Sequence, residues 1–130
     1  MANTECKSRL RCACGTIASA ALVNAGVIIV PPISSRSYIV VGGWLKSTTS
    51  AATSTSIDVT DTTGTEVINA AVAVGNLTDG TVAPLTASSG VTWTTFGTAN
   101  TKGKGLKIIS DDGGLTGTTA LDYCIEYMTL

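Results

Sequence analysis

The sequence predicts an all-β fold, an antiparallel β-sandwich or jelly roll with an extended N-terminal arm. Apolar and polar residues alternate over short stretches, most clearly in TALDYCIEYMTL at the end of the chain. The composition is rich in Thr, Ser, Gly and Val, which are typical of pleated strands and tight turns. Turn motifs such as SSRS, DTTG, TASSG and DDGG separate about six to eight of these stretches, a spacing that favours a two-sheet fold.

The chain divides into two parts of different composition. Residues 1–14 form the predicted N-terminal arm, which contains Cys6, Cys12 and Cys14. Residues 15–130 form one predicted β-sandwich domain, long enough for a single hydrophobic core. Neither a second domain nor an internal repeat is expected.

The first half of the domain contains one ambiguous stretch and two clearer strands. Residues 15–26 (GTIASAALVNAG) fit either a short helix or a strand, and their alternation favours the strand. VIIV, residues 27–30, is a strand that must end at Pro31-Pro32, because proline cannot donate to a ladder. Residues 37–47 (SYIVVGGWLKS) are apolar on both faces, which predicts a central strand buried on both sides, with Gly42-Gly43 at a bulge.

The second half contains a hairpin and three further strands. Residues 55–74 form the hairpin, with DTTG at its turn and Ile57 and Val59 pointing inward. Residues 90–96 and 103–110 each alternate as strands do. In the last strand the residues sharing one face are Leu121, Tyr123, Ile125 and Tyr127.

Composition excludes several classes of function. The chain has no histidine, which removes every Ser-His-Asp and Cys-His catalytic arrangement and every imidazole metal ligand. A net charge of −1 gives no reason to expect binding to nucleic acid. Asp122 and Glu126 share a strand face, but a small sandwich offers little cleft for a catalytic carboxylate pair. We therefore expect neither an enzyme nor a cofactor.

The four cysteines leave three states open. Cys6, Cys12 and Cys14 could join Cys124 in a zinc site, but the spacing C-x5-C-x-C lacks the paired units that zinc favours. Cys124 could instead form a disulfide with one arm cysteine. Free thiols acting as small hydrophobic residues are favoured, because thiols stay reduced in the cytoplasm.

Basic residues cluster in two places. Lys7, Arg9 and Arg11 alternate along the arm, so an extended arm would present all three charges on one side, to dock on a partner. Lys104 lies in TKGKGLKI, which lacks the phosphate-loop pattern and is expected to be a solvated hairpin turn. The arm trio is the predicted partner-binding set.

A carbohydrate-binding module is an alternative. Trp44, Trp93, Tyr38, Tyr123 and Tyr127 could stack on sugar rings. Most of them lie inside apolar alternation, where a core position is the default. The alternative therefore requires at least two coplanar, exposed rings among Trp44, Trp93 and Tyr127.

Neither a targeting segment nor a membrane span is expected. Asn24 and Gly26 interrupt the one apolar run near the basic residues, and no small-residue cleavage site follows it. A spanning helix needs about 20 apolar residues, and no such run is present. The expected place of synthesis is the cytoplasm.

The runs VTDTTGTEV, GVTWTTFGT and GKGLKI resemble those of small β-sandwich virion proteins of tailed bacteriophages, and in particular capsid decoration (cement) proteins. The resemblance covers roughly residues 15–130 and consists of composition and strand spacing. It implies a homotrimer in the virion that binds the major capsid protein on the outside of the capsid and stabilises contacts between capsomers. A tail, baseplate or fibre component is the alternative within the same class.

Overall fold

The computed structural model describes residues 10–22, 26–52, 56–62, 67–87, 103–110 and 115–129. Within these ranges the chain forms nine β-strands and two short 3-10 helices, and no α-helix. The strands are β1 (Leu10–Ala18), β2 (Val27–Val30), β3 (Tyr38–Ser47), β4 (Ser56–Asp61), β5 (Val67–Ala73), β6 (Val82–Pro84), β7 (Thr86–Ala87), β8 (Leu106–Ser110) and β9 (Ala120–Thr129). The 3-10 helices are Ser19–Leu22 and Val74–Asn76.

The described strands form two antiparallel sheets that enclose one core. The four-stranded sheet has the order β1-β9-β3-β6, and the five-stranded sheet has the order β2-β8-β4-β5-β7. Core residues from the first sheet are Ile17, Val40, Leu45, Leu121 and Ile125, and those from the second are Ile57, Val59, Val72, Leu106 and Ile108. The face of each sheet that carries these residues is called its inner face below. The prediction of an all-β, antiparallel fold is confirmed.

Alternation in β9 and β4 correctly indicated their inner faces. Leu121 and Ile125 are at most 1% exposed, and Tyr123 and Tyr127 pack against the core. Ile57 and Val59 of β4 are fully buried, and β4 pairs with β5 as the predicted hairpin. Residues 63 and 64 of the predicted turn and the predicted strand at 90–96 lie outside the described residues.

The predicted bulge in β3 is confirmed. The register of β3 against β9 shifts between Val40 and Gly42. Gly43 then adopts a φ of +137°, and a Cβ at this position would collide with the backbone oxygen of Cys124. Glycine is required here, because no other residue allows the two strands to approach so closely in this conformation.

The prediction that β3 is buried on both faces is wrong. Tyr38, Val40 and Leu45 are buried on the inner face, whereas Val41 is 36% exposed and Trp44 half-buried on the outer face. Among the described residues the core lies against the inner side of this sheet, and the apolar residues on its outer side are partly covered. Apolar residues on both faces of a strand therefore do not by themselves indicate that both faces are buried.

The first strand begins earlier than the sequence predicts. Residues 10–14 of the predicted N-terminal arm lie in β1, and Leu10 is opposite Met128 while Cys14 is opposite Cys124. Their partner strand is more than a hundred residues away along the chain, so no local pattern marks this pairing. The ambiguous stretch is strand as far as Ala18 and continues as the 3-10 helix Ser19–Leu22. Residues 1–9 lie outside the described residues.

Candidate functional site: an arginine cleft between the sheets

A cleft with two arginines opens at one end of the space between the sheets. It is lined by Arg11, Val30, Pro31, Ile33, Arg36, Tyr38, Tyr127 and Thr129 and has a volume of about 610 Å³. We call it the arginine cleft. Its size lies in the range of sites that hold a small ligand or a few side chains of a partner.

Strand register explains why these residues meet. Arg11 on β1 lies opposite Tyr127 on β9, and Thr129 lies opposite Tyr38 on β3. These residues lie on the inner face of the four-stranded sheet at the edge of the core, to which Tyr38 itself belongs. The opposite wall is the end of β2 and the loop that follows it, where Pro31 ends the strand. The cleft is thus the open end of the space that the core fills further along.

The loop from β2 to β3 holds Arg36 in place. The backbone N–H of Arg36 donates to the Ile33 carbonyl at 3.0 Å, which closes a turn. The Arg36 carbonyl accepts from the Gly103 N–H at 3.0 Å. Because both polar groups of its backbone are hydrogen-bonded, only the exposed side chain of Arg36 has freedom to adjust to a ligand.

Aromatic rings form the floor of the cleft. Tyr38 and Tyr127 pack edge to face, with ring centroids 5.7 Å apart and an interplanar angle of 79°. Burial raises the pKa of the Tyr38 phenol, the proximity of Tyr127 raises it further, and the positive charge of Arg36 acts in the opposite direction. A cation, two phenol rings and an apolar wall therefore lie together.

Neither arginine has an acidic partner in the described part of the chain. The one ion pair found there joins Lys104 and Asp61. No carboxylate is among the described residues that line the cleft. Two exposed guanidinium groups share the cleft, and an anion that binds between them would be attracted by both.

Lys104 has a structural role that the sequence did not reveal. Its Nζ lies 3.5 Å from Oδ2 of Asp61, whose side chain is fully buried, whereas the Lys104 side chain is 25% exposed. Leu106 of β8 lies between Asp61 of β4 and Val30 of β2, which lines the cleft. The Asp61–Lys104 ion pair is therefore at the same end of the five-stranded sheet as the cleft. A buried carboxylate requires a nearby cation or several donors, which explains why this lysine is not merely a solvated turn residue.

Two of the four cysteines form a disulfide. Cys14 and Cys124 are bonded to each other, with their Cα atoms 4.0 Å apart. The expectation of free thiols is wrong for this pair, because the antiparallel register places the two residues directly opposite each other. Cys12 is free and exposed. Cys6 lies outside the described residues.

The structure describes one residue of the predicted partner-binding trio. Arg11 reaches the cleft, while Lys7 and Arg9 lie outside the described residues. Asp122 lies on the outer face, where it accepts a hydrogen bond from Thr16 Oγ1 at 2.7 Å. Within the described ranges, no three His, Cys, Asp or Glu residues are grouped closely enough to hold a metal ion.

Two of the aromatic residues proposed as a sugar platform point away from each other. Tyr127 belongs to the inner face of the four-stranded sheet, whereas Trp44 lies opposite Cys124 on its outer face. Tyr38 is only 3% exposed. Trp93 lies outside the described residues. Trp44 and Tyr127 cannot form one coplanar platform.

Comparison with known proteins gives no relative from which a role could be transferred. No protein-family model matches the chain, and no curated protein or solved structure matches it either. Among the described residues there is no helix with the length and apolar character needed to cross a bilayer.

Proposed function

We propose that this chain is a virion structural protein with a jelly-roll fold, a capsid decoration protein that binds the outside of a phage capsid. The supporting observation is the strand order. Without the two-residue strand β7, the first strand lies beside the last, and the orders are β1-β9-β3-β6 and β2-β8-β4-β5. This order supports the proposal of a jelly roll, an architecture that viral capsid proteins use.

The surface is compatible with attachment through several weak interfaces. Large apolar side chains are exposed on both sheets and on a loop, and in the described residues they are Leu10, Ile28, Ile33, Val41 and Val82. Only 13% of the residues are charged, so repulsion between copies is weak. A homotrimer whose subunits each contact the major capsid protein would combine these weak contacts through a high effective concentration.

The N-terminal basic residues supply the second part of the proposal. Lys7, Arg9 and Arg11 are the proposed partner-binding residues, and Arg11 lies at the beginning of β1 in the arginine cleft. The first nine residues lead directly into this strand. We propose that they contact the capsid protein as an extended arm.

A tail, baseplate or fibre component is the alternative, because the same fold and the same adhesive mechanism would serve there. Lectins also use jelly rolls, so a carbohydrate-binding module remains a further alternative. Cosedimentation distinguishes the two alternatives. A tail component would cosediment with tails that lack capsids. A sugar-binding module would bind its sugar in the absence of both capsids and tails.

The test is a pair of truncations assayed on particles. Removing residues 1–9 should leave the fold intact. It should weaken the affinity for purified capsids several-fold, because each lost charge contact contributes only a small binding free energy. Removing residues 1–14 should also destabilise the domain, because it deletes half of β1 together with Cys14. Circular dichroism reports folding, cosedimentation with capsids reports binding, and native mass spectrometry reports whether a trimer forms.

The control is full-length protein in the same gradient. A full-length chain that never sediments with capsids, in a preparation where the capsid protein itself is intact, would contradict the decoration role. Association with isolated tails alone would transfer the protein to the alternative.

A further inference from the structure

The arginine cleft places two exposed cationic side chains beside an apolar and aromatic surface. Arg11 and Arg36 are both exposed and face one space, and neither is in an ion pair with a described residue. Between them the floor is aromatic and one wall is apolar, because Val30 and Pro31 close the side of β2. A ligand that satisfies this surface carries a negative charge and an apolar group close together.

The charge count favours one carboxylate over a polyanion. Nucleic-acid affinity depends on many simultaneous phosphate contacts, and this cleft offers two guanidinium groups in a chain of net charge −1. A single planar carboxylate can be held by one or two guanidinium groups through paired hydrogen bonds. The charge of the cleft is therefore complementary to an acidic side chain.

The apolar wall indicates what accompanies that carboxylate. Ile33 is 48% exposed at the rim, and Tyr127 is only partly buried. An apolar side chain adjacent to the acidic residue would cover both and remove apolar surface from water. The volume of about 610 Å³ accommodates two such side chains and no folded domain.

We propose that the arginine cleft binds an acidic segment of a partner protein, with an Asp or Glu carboxylate between Arg11 and Arg36 and the neighbouring apolar side chain on Ile33 and Tyr127. This inference rests on the proposed function, since it identifies the chemistry of the partner surface that the protein recognises. The cleft thus gives the attachment its specificity, and the exposed apolar residues elsewhere add area.

The binding test uses two capped dipeptides that differ in one charge. Ac-Glu-Phe-NH₂ should shift the backbone amide NMR signals of Arg11, Arg36 and Tyr127 in the full-length protein, with millimolar affinity. Ac-Gln-Phe-NH₂ should bind about five-fold more weakly or not at all, because it lacks the charge that the guanidinium groups recognise.

Substitutions in the protein provide the matched comparison. Arg11→Gln and Arg36→Gln should each weaken binding of the Glu peptide by about five-fold or more. Lys46→Gln removes a charge from the outer face of the same sheet and should change binding by less than about two-fold. If an arginine variant fails to fold, the two peptides on the unaltered protein still decide the question.

Three results would overturn the proposal. The first is equal binding of the Glu and Gln peptides, and the second is a set of shifted amides that excludes the cleft. The third is displacement of the Glu peptide by inorganic phosphate at a lower concentration than the peptide itself requires, which would make the cleft a phosphate site.

A particle assay separates this inference from the proposed function. If the double variant Arg11→Gln/Arg36→Gln loses the peptide and still cosediments with capsids as the unaltered protein does, the cleft has no part in attachment and the decoration role stands. If the unaltered protein binds the peptide and never cosediments, the decoration role fails and the cleft remains an acidic-peptide site. Loss of both activities in the double variant supports the two proposals together.

Discussion

The inner face of the four-stranded sheet carries Val40, Leu45 and Ile125, which are fully buried. Its outer face carries the Cys14–Cys124 disulfide and the hydrogen bond from Thr16 to Asp122, both of which join β1 to β9. Apolar burial on the inner face connects this sheet to the other one. The outer-face links act only between neighbouring strands of one sheet. Specific cross-strand pairs therefore link β1 to β9 on the outer face, whereas non-directional packing on the inner face holds their sheet to the second sheet.

The largest expected effect comes from opening a cavity on the inner face. Ile125→Ala should lower the free energy of unfolding by about 2–5 kcal/mol, because Ile125 is fully buried in the shared core. Its neighbour Glu126 lies on the outer face, and Glu126→Ala should change stability by less than about 0.5 kcal/mol. Urea unfolding of the two variants measures the difference. Equal destabilisation by both would contradict the assignment of inner and outer faces.

Breaking the disulfide tests the outer face. Cys14→Ser should lower the free energy of unfolding by about 2–4 kcal/mol, because the bond closes a loop between residues 110 positions apart. Cys12→Ser, two residues earlier on the same face, should have almost no effect, because Cys12 is free and exposed. Adding reductant should bring the unaltered protein to the stability of the Cys14→Ser variant. Insensitivity to both the substitution and the reductant would show that the disulfide contributes nothing to the stability of the domain.

The smallest expected effect is on the pH dependence of stability, through Tyr38 on the inner face at the cleft. Burial raises the pKa of Tyr38 above its usual 10.0, so the unfolded chain loses this proton first as the pH rises. The folded state then binds more protons than the unfolded state, and stability falls above pH 10, by at most about 1.4 kcal/mol per pH unit from this residue. Tyr38→Phe should remove that part of the decline.

Chemical denaturation of the unaltered protein and the Tyr38→Phe variant at several pH values measures this contribution to stability. Between pH 7 and 9 the two proteins should differ by a constant amount, which reports packing rather than titration. Between pH 10 and 11 the difference should change with pH. A constant difference over the whole range would show that the Tyr38 phenol ionises as easily in the folded protein as in the unfolded one.

Local sequence patterns predicted most of the strands but little of how those strands pair and pack. Alternation in TALDYCIEYMTL identified β9 and its inner face, and Pro31 correctly marked the end of β2. The bulge at Gly42-Gly43 followed from two adjacent glycines in an apolar strand. Burial of β3 on both sides was wrong, because composition does not report whether a second layer covers a sheet.

The candidate site was only partly predictable. Alternation with Lys7 and Arg9 marks Arg11 as a candidate, but it does not indicate which residues lie beside Arg11 in space. No motif marks Arg36, and no spacing in the sequence relates it to Arg11. The one signal that could have found it is its position directly before the predicted strand at residues 37–47, where a charged side chain lies at a strand end.

The sequence by itself determined the fold class, because hydrophobic alternation, β-branched residues and turn motifs act over a few residues and are readable locally. It also determined the absence of histidine chemistry. Tertiary structure alone decided the disulfide, the Asp61–Lys104 pair and the cleft. Each of these depends on strand register between residues far apart in the chain, and a shift of one residue would place Arg11 and Cys14 on opposite faces from those they occupy.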